Sequence, residues 1–124
     1  MLTIRRLLWS HRFYGVNVRG TLMPIEEALK LAKTEGIYFA AARFFYADRY
    51  EDSMALMKAR FACVPEAPCA LNTACCLAKL RRYDEAVTWL RRADDLLPLT
   101  RRALRDPDLR RLRRAGFLDE FEAR

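Results

Sequence analysis

The sequence predicts an all-α protein whose central part consists of two tandem helix hairpins. Apolar residues recur three and four positions apart, which is typical of a helix with one buried face, and the pattern of residues 34–66 recurs in residues 67–99. A chain of 124 residues has room for one domain of ordinary size. Its 52% hydrophobic residues and four glycines exclude a disordered or low-complexity chain.

The internal repeat aligns residues of similar size and chemistry. Small residues align with small residues, large apolar residues with large apolar residues, and an aromatic residue followed by acids marks each turn. The aligned pairs include Tyr50 with Tyr83, Ala41 with Ala74, Phe44 with Leu77, Met57 with Leu90, and Val64-Pro65 with Leu97-Pro98. This repetition predicts two copies of one helical unit packed side by side.

The second unit shows the predicted hairpin most clearly. The apolar stripe of its first helix, residues 68–80, consists of Leu71, Ala74, Cys75 and Ala78. After a turn at residues 81–83, the second helix begins at Asp84-Glu85, where acidic side chains suit the positive end of the helix dipole. This helix is expected to continue through Leu97 and to stop against Pro98.

The segment ALNTACCLAKLRRYDEAVTWLRRADDLLP resembles a tetratricopeptide repeat. Residues 83–86 match the family's turn, Ala93 its small position in the second helix, and Pro98 its terminal proline. The segment YFAAARFFYADRYEDSMALMKARFACVP is similar but departs from the family at Ser53 and Arg60, where smaller residues are usual. These departures predict a more open first hairpin. Ankyrin repeats share the repeat length, but their Thr-Pro-Leu-His signature is absent.

The resemblance implies a short α-solenoid of tetratricopeptide-type hairpins with N- and C-terminal flanking helices. The repeats would span residues 34–66 and 67–99 of a helical domain at residues 24–124, and the resemblance does not define a function. A helix from Pro24 would cover one side, and capping helices at residues 100–124 the other. The cap is expected to begin at Asp106-Pro107, to stop at Gly116, and to bury Leu109, Leu112, Phe117 and Phe121.

The first helix of the first repeat, residues 37–47, carries a single charge, Arg43, so all of its faces are expected to be covered. In tetratricopeptide proteins the first helices line a concave groove. The resemblance therefore implies that the partner-binding residues are Tyr38, Phe39, Ala42, Phe45, Tyr46, Leu71, Asn72, Cys75 and Lys79. The alternative interpretation is that the aromatic residues belong to a crowded core.

Residues 1–23 form a basic amphipathic segment with four arginines and no acid. We expect Leu7, Leu8 and Trp9 to pack on a partner or on the groove. Such an Arg-rich start resembles a mitochondrial transit peptide, and a bacterial cytoplasmic protein is the alternative. No apolar run approaches the roughly 20 residues of a membrane span.

Residues with catalytic or metal-binding chemistry are few. His11 is the only histidine, and no nucleophile is spaced to work with it. The four cysteines lack a C-x-x-C pair, which disfavours zinc and favours buried or groove-lining thiols, with a disulfide between Cys63 and Cys69 left open. The sequence therefore predicts no enzyme, no cofactor and no metal.

Two groups of polar and basic residues suggest sites for an anionic ligand. Asn72, Arg101 and Arg105 partly match the carboxylate clamp of chaperone-binding tetratricopeptide domains, but Tyr38 and Ala42 replace its first-repeat Lys and Asn. A non-specific RNA contact could involve the basic residues Arg101, Arg102, Arg105, Arg110, Arg111, Arg113 and Arg114. The other interpretation of these arginines is a solvated surface of the capping helix.

The expected function is a non-catalytic protein-protein interaction scaffold, a structural or accessory subunit of a larger assembly that holds an apolar partner segment. A small repeat chaperone or adaptor for a peptide is the first alternative. A ribosome- or RNA-associated accessory subunit is the second.

Overall fold

The computed structural model describes residues 36–123, and within this range every regular element is helical. The elements are α1 Ile37–Tyr46, α2 Tyr50–Cys63, α3 Ala67–Lys79, α4 Tyr83–Leu96, α5 Arg101–Leu104, a 3-10 turn Pro107–Leu109, α6 Arg110–Arg114 and α7 Asp119–Glu122. The ends of α1, α3 and α4 agree with the sequence prediction to within one residue.

The turns that join α1 to α2 and α3 to α4 share one backbone geometry. Asp48 and Arg81, which hold the same position in the two repeats, both adopt the left-handed conformation, with φ of 62° and 61°. The bonds that close the two turns are both 2.9 Å long and run from the Arg49 N–H to the Phe44 carbonyl and from the Arg82 N–H to the Leu77 carbonyl. Each is the hydrogen bond of a Schellman motif that spans five residues of the chain, and this motif ends a helix and reverses the chain.

Small residues bring the two helices of each hairpin together. Ala74 and Ala86 are fully buried in the second hairpin, and Ala41 and Ser53 hold the equivalent places in the first. The Ser53 hydroxyl donates a hydrogen bond to the Ala41 carbonyl at 2.8 Å. The serine is therefore satisfied inside the interface, and the helices stay in close contact at the place where its presence predicted a more open hairpin.

One continuous core joins the two hairpins, because α1 packs on α2, α2 on α3 and α3 on α4. Four of its largest fully buried side chains form two equivalent pairs: Phe44 with Leu77 and Met57 with Leu90. The repeat of the sequence is therefore also a repeat of the core. The helix α1 is covered along its middle, where Arg43 is the one half-buried residue between Phe39 and Phe45, but Ile37, Tyr38 and Tyr46 near its ends are also only half-buried.

The C-terminal residues form a cap against the second hairpin. Asp106 accepts a hydrogen bond from the Asp108 N–H at 2.8 Å and opens the 3-10 turn, which contacts α3 and continues into α6. Gly116, with φ of 84°, follows the end of α6. The predicted start and stop of the cap are therefore confirmed.

The buried side of the cap largely agrees with the prediction. Leu109, Leu112 and Phe121 are buried, whereas Phe117 is half-buried with its ring 5.5 Å from that of Tyr83. Two further leucines of the cap, Leu104 and Leu118, are also buried and were not among the predicted buried residues.

The predictions for residues 1–23, including Leu7, Leu8, Trp9 and His11, lie outside the described residues, as does the predicted helix from Pro24. Among residues 36–123, no helix has the length and apolar character needed to cross a membrane.

Candidate partner-binding surfaces

The five predicted groove residues of α1 differ in their access to solvent. Three are buried: Phe39, Ala42 and Phe45. Tyr38 and Tyr46 are half-buried. The Phe45 ring meets the rings of Tyr46 and Tyr50 edge-on, with centroids 5.5 and 5.3 Å away. Tyr38 and Tyr46 are therefore the members of this set that keep part of their surface exposed.

The predicted groove residues of α3 are mostly internal. Leu71, Asn72 and Cys75 are buried, whereas Lys79 is exposed. The Asn72 amide donates to the Met57 sulfur at 3.2 Å, and its Oδ1 has no hydrogen-bond partner among the described residues. In this conformation Asn72 presents no amide at the surface for a ligand carboxylate, as the carboxylate clamp would require.

Lys79 lies beside a buried carboxylate at the end of α3. Its Nζ is 3.6 Å from Oδ1 of Asp108, whose side chain is 3% exposed. A buried carboxylate is costly unless it is paired, so Lys79 helps to hold the cap on α3. Tyr50, Arg110 and Arg111 line the same cleft, which has a volume of about 570 Å³.

A polar cluster joins α1 to the start of α3. The Tyr38 hydroxyl donates to Oε1 of Glu66 at 2.6 Å and lies 3.1 Å from the Cys69 sulfur, while Arg60 Nε lies 3.4 Å from the same Glu66 oxygen. Burial and the hydrogen bonds to Cys69 and Glu66 raise the pKa of Tyr38 above its usual range, and burial raises that of Cys69. Both groups are therefore neutral, and the cluster links helices without an activated nucleophile.

The four thiols are free, and Cys63 is the exposed one. Burial raises the pKa of the Cys76 thiol to about 12. Within residues 36–123, no group of three or more His, Cys, Asp or Glu side chains is placed to hold a metal ion. The buried thiols of α3 are core groups in this structure.

The arginines of the cap are surface residues, as one interpretation of the sequence predicted. Arg113 is half-buried, and the others are exposed: Arg101, Arg102, Arg105, Arg110, Arg111 and Arg114. Three of the seven line a cleft of about 900 Å³ between the end of α4 and the cap: Arg101, Arg105 and Arg113. We call it the cap cleft. Its lining also includes the apolar side chains of Leu99, Leu104 and Phe121.

A second surface feature is centred on Trp89, which the sequence analysis did not select. Its ring meets that of Phe61 edge-on at 5.2 Å, and the guanidinium of Arg92 lies 4.5 Å from the ring centroid. Lys58 lies 5.8 Å from the same centroid. Since two cations already lie near this ring, the cluster ties α2 to α4 as a local packing element.

Comparison of the chain with protein-family models, curated proteins and solved structures gave no match. Over residues 36–123 the chain is all-helical.

Proposed function

We propose that this chain is a non-catalytic scaffold for protein-protein interaction and a structural or accessory subunit of a larger assembly. We further propose that its two hairpins are tetratricopeptide repeats. The supporting observation is that three features of the first hairpin recur at the equivalent places of the second: the turn at Asp48 and Arg81, the helix contact at Ser53 and Ala86, and the core. Stacked hairpins of this kind create extended binding faces.

In this proposal, a partner segment lies along the first helices of the hairpins. Its contacts are the half-buried Tyr38 and Tyr46 and the exposed Lys79, and the buried groove residues hold the shape of the surface beneath it. The basic segment at residues 1–23 supplies a second contact through Leu7, Leu8 and Trp9. Its Arg-rich, acid-free composition supports a mitochondrial location, with the bacterial cytoplasm as the alternative.

Two other functions share part of this support. A small chaperone or adaptor would use the same face for a peptide that exchanges, so release of the bound segment by an excess of free peptide distinguishes it. An RNA-associated subunit is favoured by the exposed arginines of the cap, and its complexes would weaken steeply with added salt.

Photo-crosslinking of the full chain in its own cells tests the scaffold. The tagged protein carries benzoylphenylalanine in place of Tyr46 or, as a control, in place of Thr88, which is exposed on α4. We expect a stoichiometric protein partner that survives nuclease treatment and crosslinks from position 46 alone. Purification of the chain without a partner, or crosslinking from position 88 alone, would contradict the scaffold and its binding face. Loss of the partner on nuclease treatment would favour the RNA-associated function.

A further inference from the structure

We propose that the cap cleft binds an acidic peptide segment of a partner protein that carries an apolar residue between its carboxylates. This inference rests on the proposed scaffold function and names the chemistry of one of its partners. The cleft is separate from the face along α1 and α3, since its lining comes from the segment that follows α4 and from α5, α6 and α7.

The charges of the cap cleft are unbalanced. Among the described residues, no carboxylate lies within 4.0 Å of the guanidinium groups of Arg101, Arg105 or Arg113, and Glu122 is the one acid in the lining. Arg91, by contrast, holds Glu120 at 2.7 Å. The cleft therefore presents two positive charges in excess to any ligand, and guanidinium groups pair with carboxylates in a bidentate geometry.

The apolar floor indicates what accompanies those carboxylates. Leu104 and Phe121 are buried, at 3% and 6% exposed, and form the closed base of the cleft, whereas Leu99 is half-buried and keeps apolar surface that a ligand can contact. An aliphatic or aromatic ligand side chain placed there would remove apolar area from water. The exposed Leu97 immediately precedes Pro98 at the rim of the cleft and extends the apolar surface along the chain.

RNA fits this floor less well than a peptide does. Bases bound by proteins stack on exposed aromatic faces, and Phe121, the one aromatic residue in the lining, is 6% exposed. The arginines alone would suit phosphates, but the half-buried Leu99 and the exposed Leu97 would then have no apolar ligand group to cover them. The combination favours an acidic peptide with an apolar residue.

The walls of the cleft are held in place without a ligand. The Leu99 N–H donates to Oδ1 of Asp94 at 2.8 Å, which fixes the chain as it leaves α4. The Thr100 hydroxyl accepts the Ala103 N–H at 3.1 Å and caps α5. Arg91 binds both carboxylate oxygens of Glu120, at 3.0 and 2.7 Å, and ties α7 to α4. A preformed cleft binds a ligand more tightly, because little free energy is lost in ordering its side chains and backbone.

The test uses the full chain and a fluorescein-labelled synthetic peptide of ten residues in which glutamates alternate with leucines, at about 0.15 M salt. Two further probes are the same peptide with Gln for every Glu and a ten-nucleotide single-stranded RNA. Replacing Arg101, Arg105 and Arg113 with Gln should weaken peptide binding about tenfold or more, since each exposed pair contributes modestly. The matched control replaces Arg110, Arg111 and Arg114, which lie outside the cleft, and should change binding by less than about threefold.

The results separate the alternatives. Binding of the acidic peptide that depends on the three cleft arginines, with the Gln peptide inactive, supports the proposal. Equal losses in the two triple variants, no binding of the peptide, or cleft-dependent binding of the RNA alone would overturn it, as would a concentration-dependent dimer lost with the cleft arginines. Because the cleft arginines lie away from α1, crosslinking of a partner from benzoylphenylalanine at position 46 would continue if the cleft proposal alone were wrong, and would be absent if the scaffold itself were wrong.

Discussion

At the scale of single residues, the two hairpins fill the same crowded position with different side chains. Ala86 lies in the second hairpin with no exposed surface, and Ser53 lies at the equivalent place in the first. The additional oxygen of Ser53 is accommodated because the hydroxyl donates a hydrogen bond to the Ala41 carbonyl at 2.8 Å. A larger apolar side chain at either position would have neither the space nor that hydrogen bond.

Replacing Ala86 with Leu should therefore lower the free energy of unfolding by about 1–3 kcal/mol through overpacking. Thr88→Leu is the control, because Thr88 lies on the same helix and is exposed. The measurement is the midpoint of urea unfolding for the two variants and the parent chain. Equal midpoints for Ala86→Leu and Thr88→Leu would contradict the contact between α3 and α4 at Ala86.

Cys76 makes the stability depend on alkaline pH. Its side chain is fully buried, and burial raises its pKa from 9.0 to about 12. As the pH rises, the unfolded chain releases this proton before the folded chain does. The contribution of Cys76 is therefore complete below about pH 9 and is lost between about pH 9 and 12, at about 1.4 kcal/mol per pH unit.

We expect Cys76→Ala to lose less stability than the parent chain, by about 1 kcal/mol, between pH 8 and pH 10. Urea midpoints at the two pH values measure this difference. Cys63→Ala is the matched control, since Cys63 is exposed and this variant retains the buried thiol of Cys76. Parallel losses in the parent chain and in Cys76→Ala would show that Cys76 does not titrate in this way.

At the scale of helices and turns, the elements that the sequence predicted well depend on local chemistry. The apolar spacing in α3 and α4, Pro98 beyond the end of α4, and the Asp106 and Gly116 signals of the cap all act within a short stretch of chain. The start and stop signals of helices therefore predicted these elements close to their observed bounds.

Features that depend on distant residues were not predictable in the same way. Asn72 is polar and was assigned to a binding groove, yet the fold places it against Met57 of the preceding helix. The cap cleft brings Leu99 beside Phe121, which comes much later in the chain and belongs to another helix. The residue spacing within one helix does not predict contacts between distant segments of the chain. The arginines of the cap were the one sequence feature that indicated this surface.

The turn at Arg81 offers a test at this scale. Left-handed backbone costs residues with a Cβ atom about 1 kcal/mol, and glycine is free of this cost. Arg81 is exposed with φ of 61°, so Arg81→Gly should raise the free energy of unfolding by about 0.5–1 kcal/mol, and Arg81→Val should lower it by about 1 kcal/mol. Thermal and urea unfolding of the three proteins decide this. Destabilisation of similar size by Gly and Val would rule out a left-handed residue at this turn.

At the largest scale, the cap shares one core with the hairpins among the described residues. Two hairpins are fewer than the roughly three units that repeat proteins usually need, because the outer face of a terminal unit would otherwise be exposed. Leu109, Leu112 and Leu118 from the cap have no exposed surface and belong to the same core as the hairpin residue Leu77. We therefore expect the cap and the hairpins to unfold as one cooperative unit.

Cutting back one cap leucine should therefore destabilise the hairpins as well as the cap. Leu112→Ala leaves a cavity in the core and should lower the free energy of unfolding by about 2–5 kcal/mol. Leu96→Ala is the control, because Leu96 is 47% exposed at the end of α4, and it should cost less than about 1 kcal/mol.

Helicity and tryptophan fluorescence are followed together during urea unfolding in a Trp9→Phe background, so that the fluorescence reports on Trp89, which lies on α4 outside the cap. If the cap and the hairpins unfold as one unit, both signals shift to the same lower midpoint in Leu112→Ala. An early loss of part of the helicity, with the fluorescence midpoint unchanged, would show instead that the cap unfolds independently and that the hairpins do not need it.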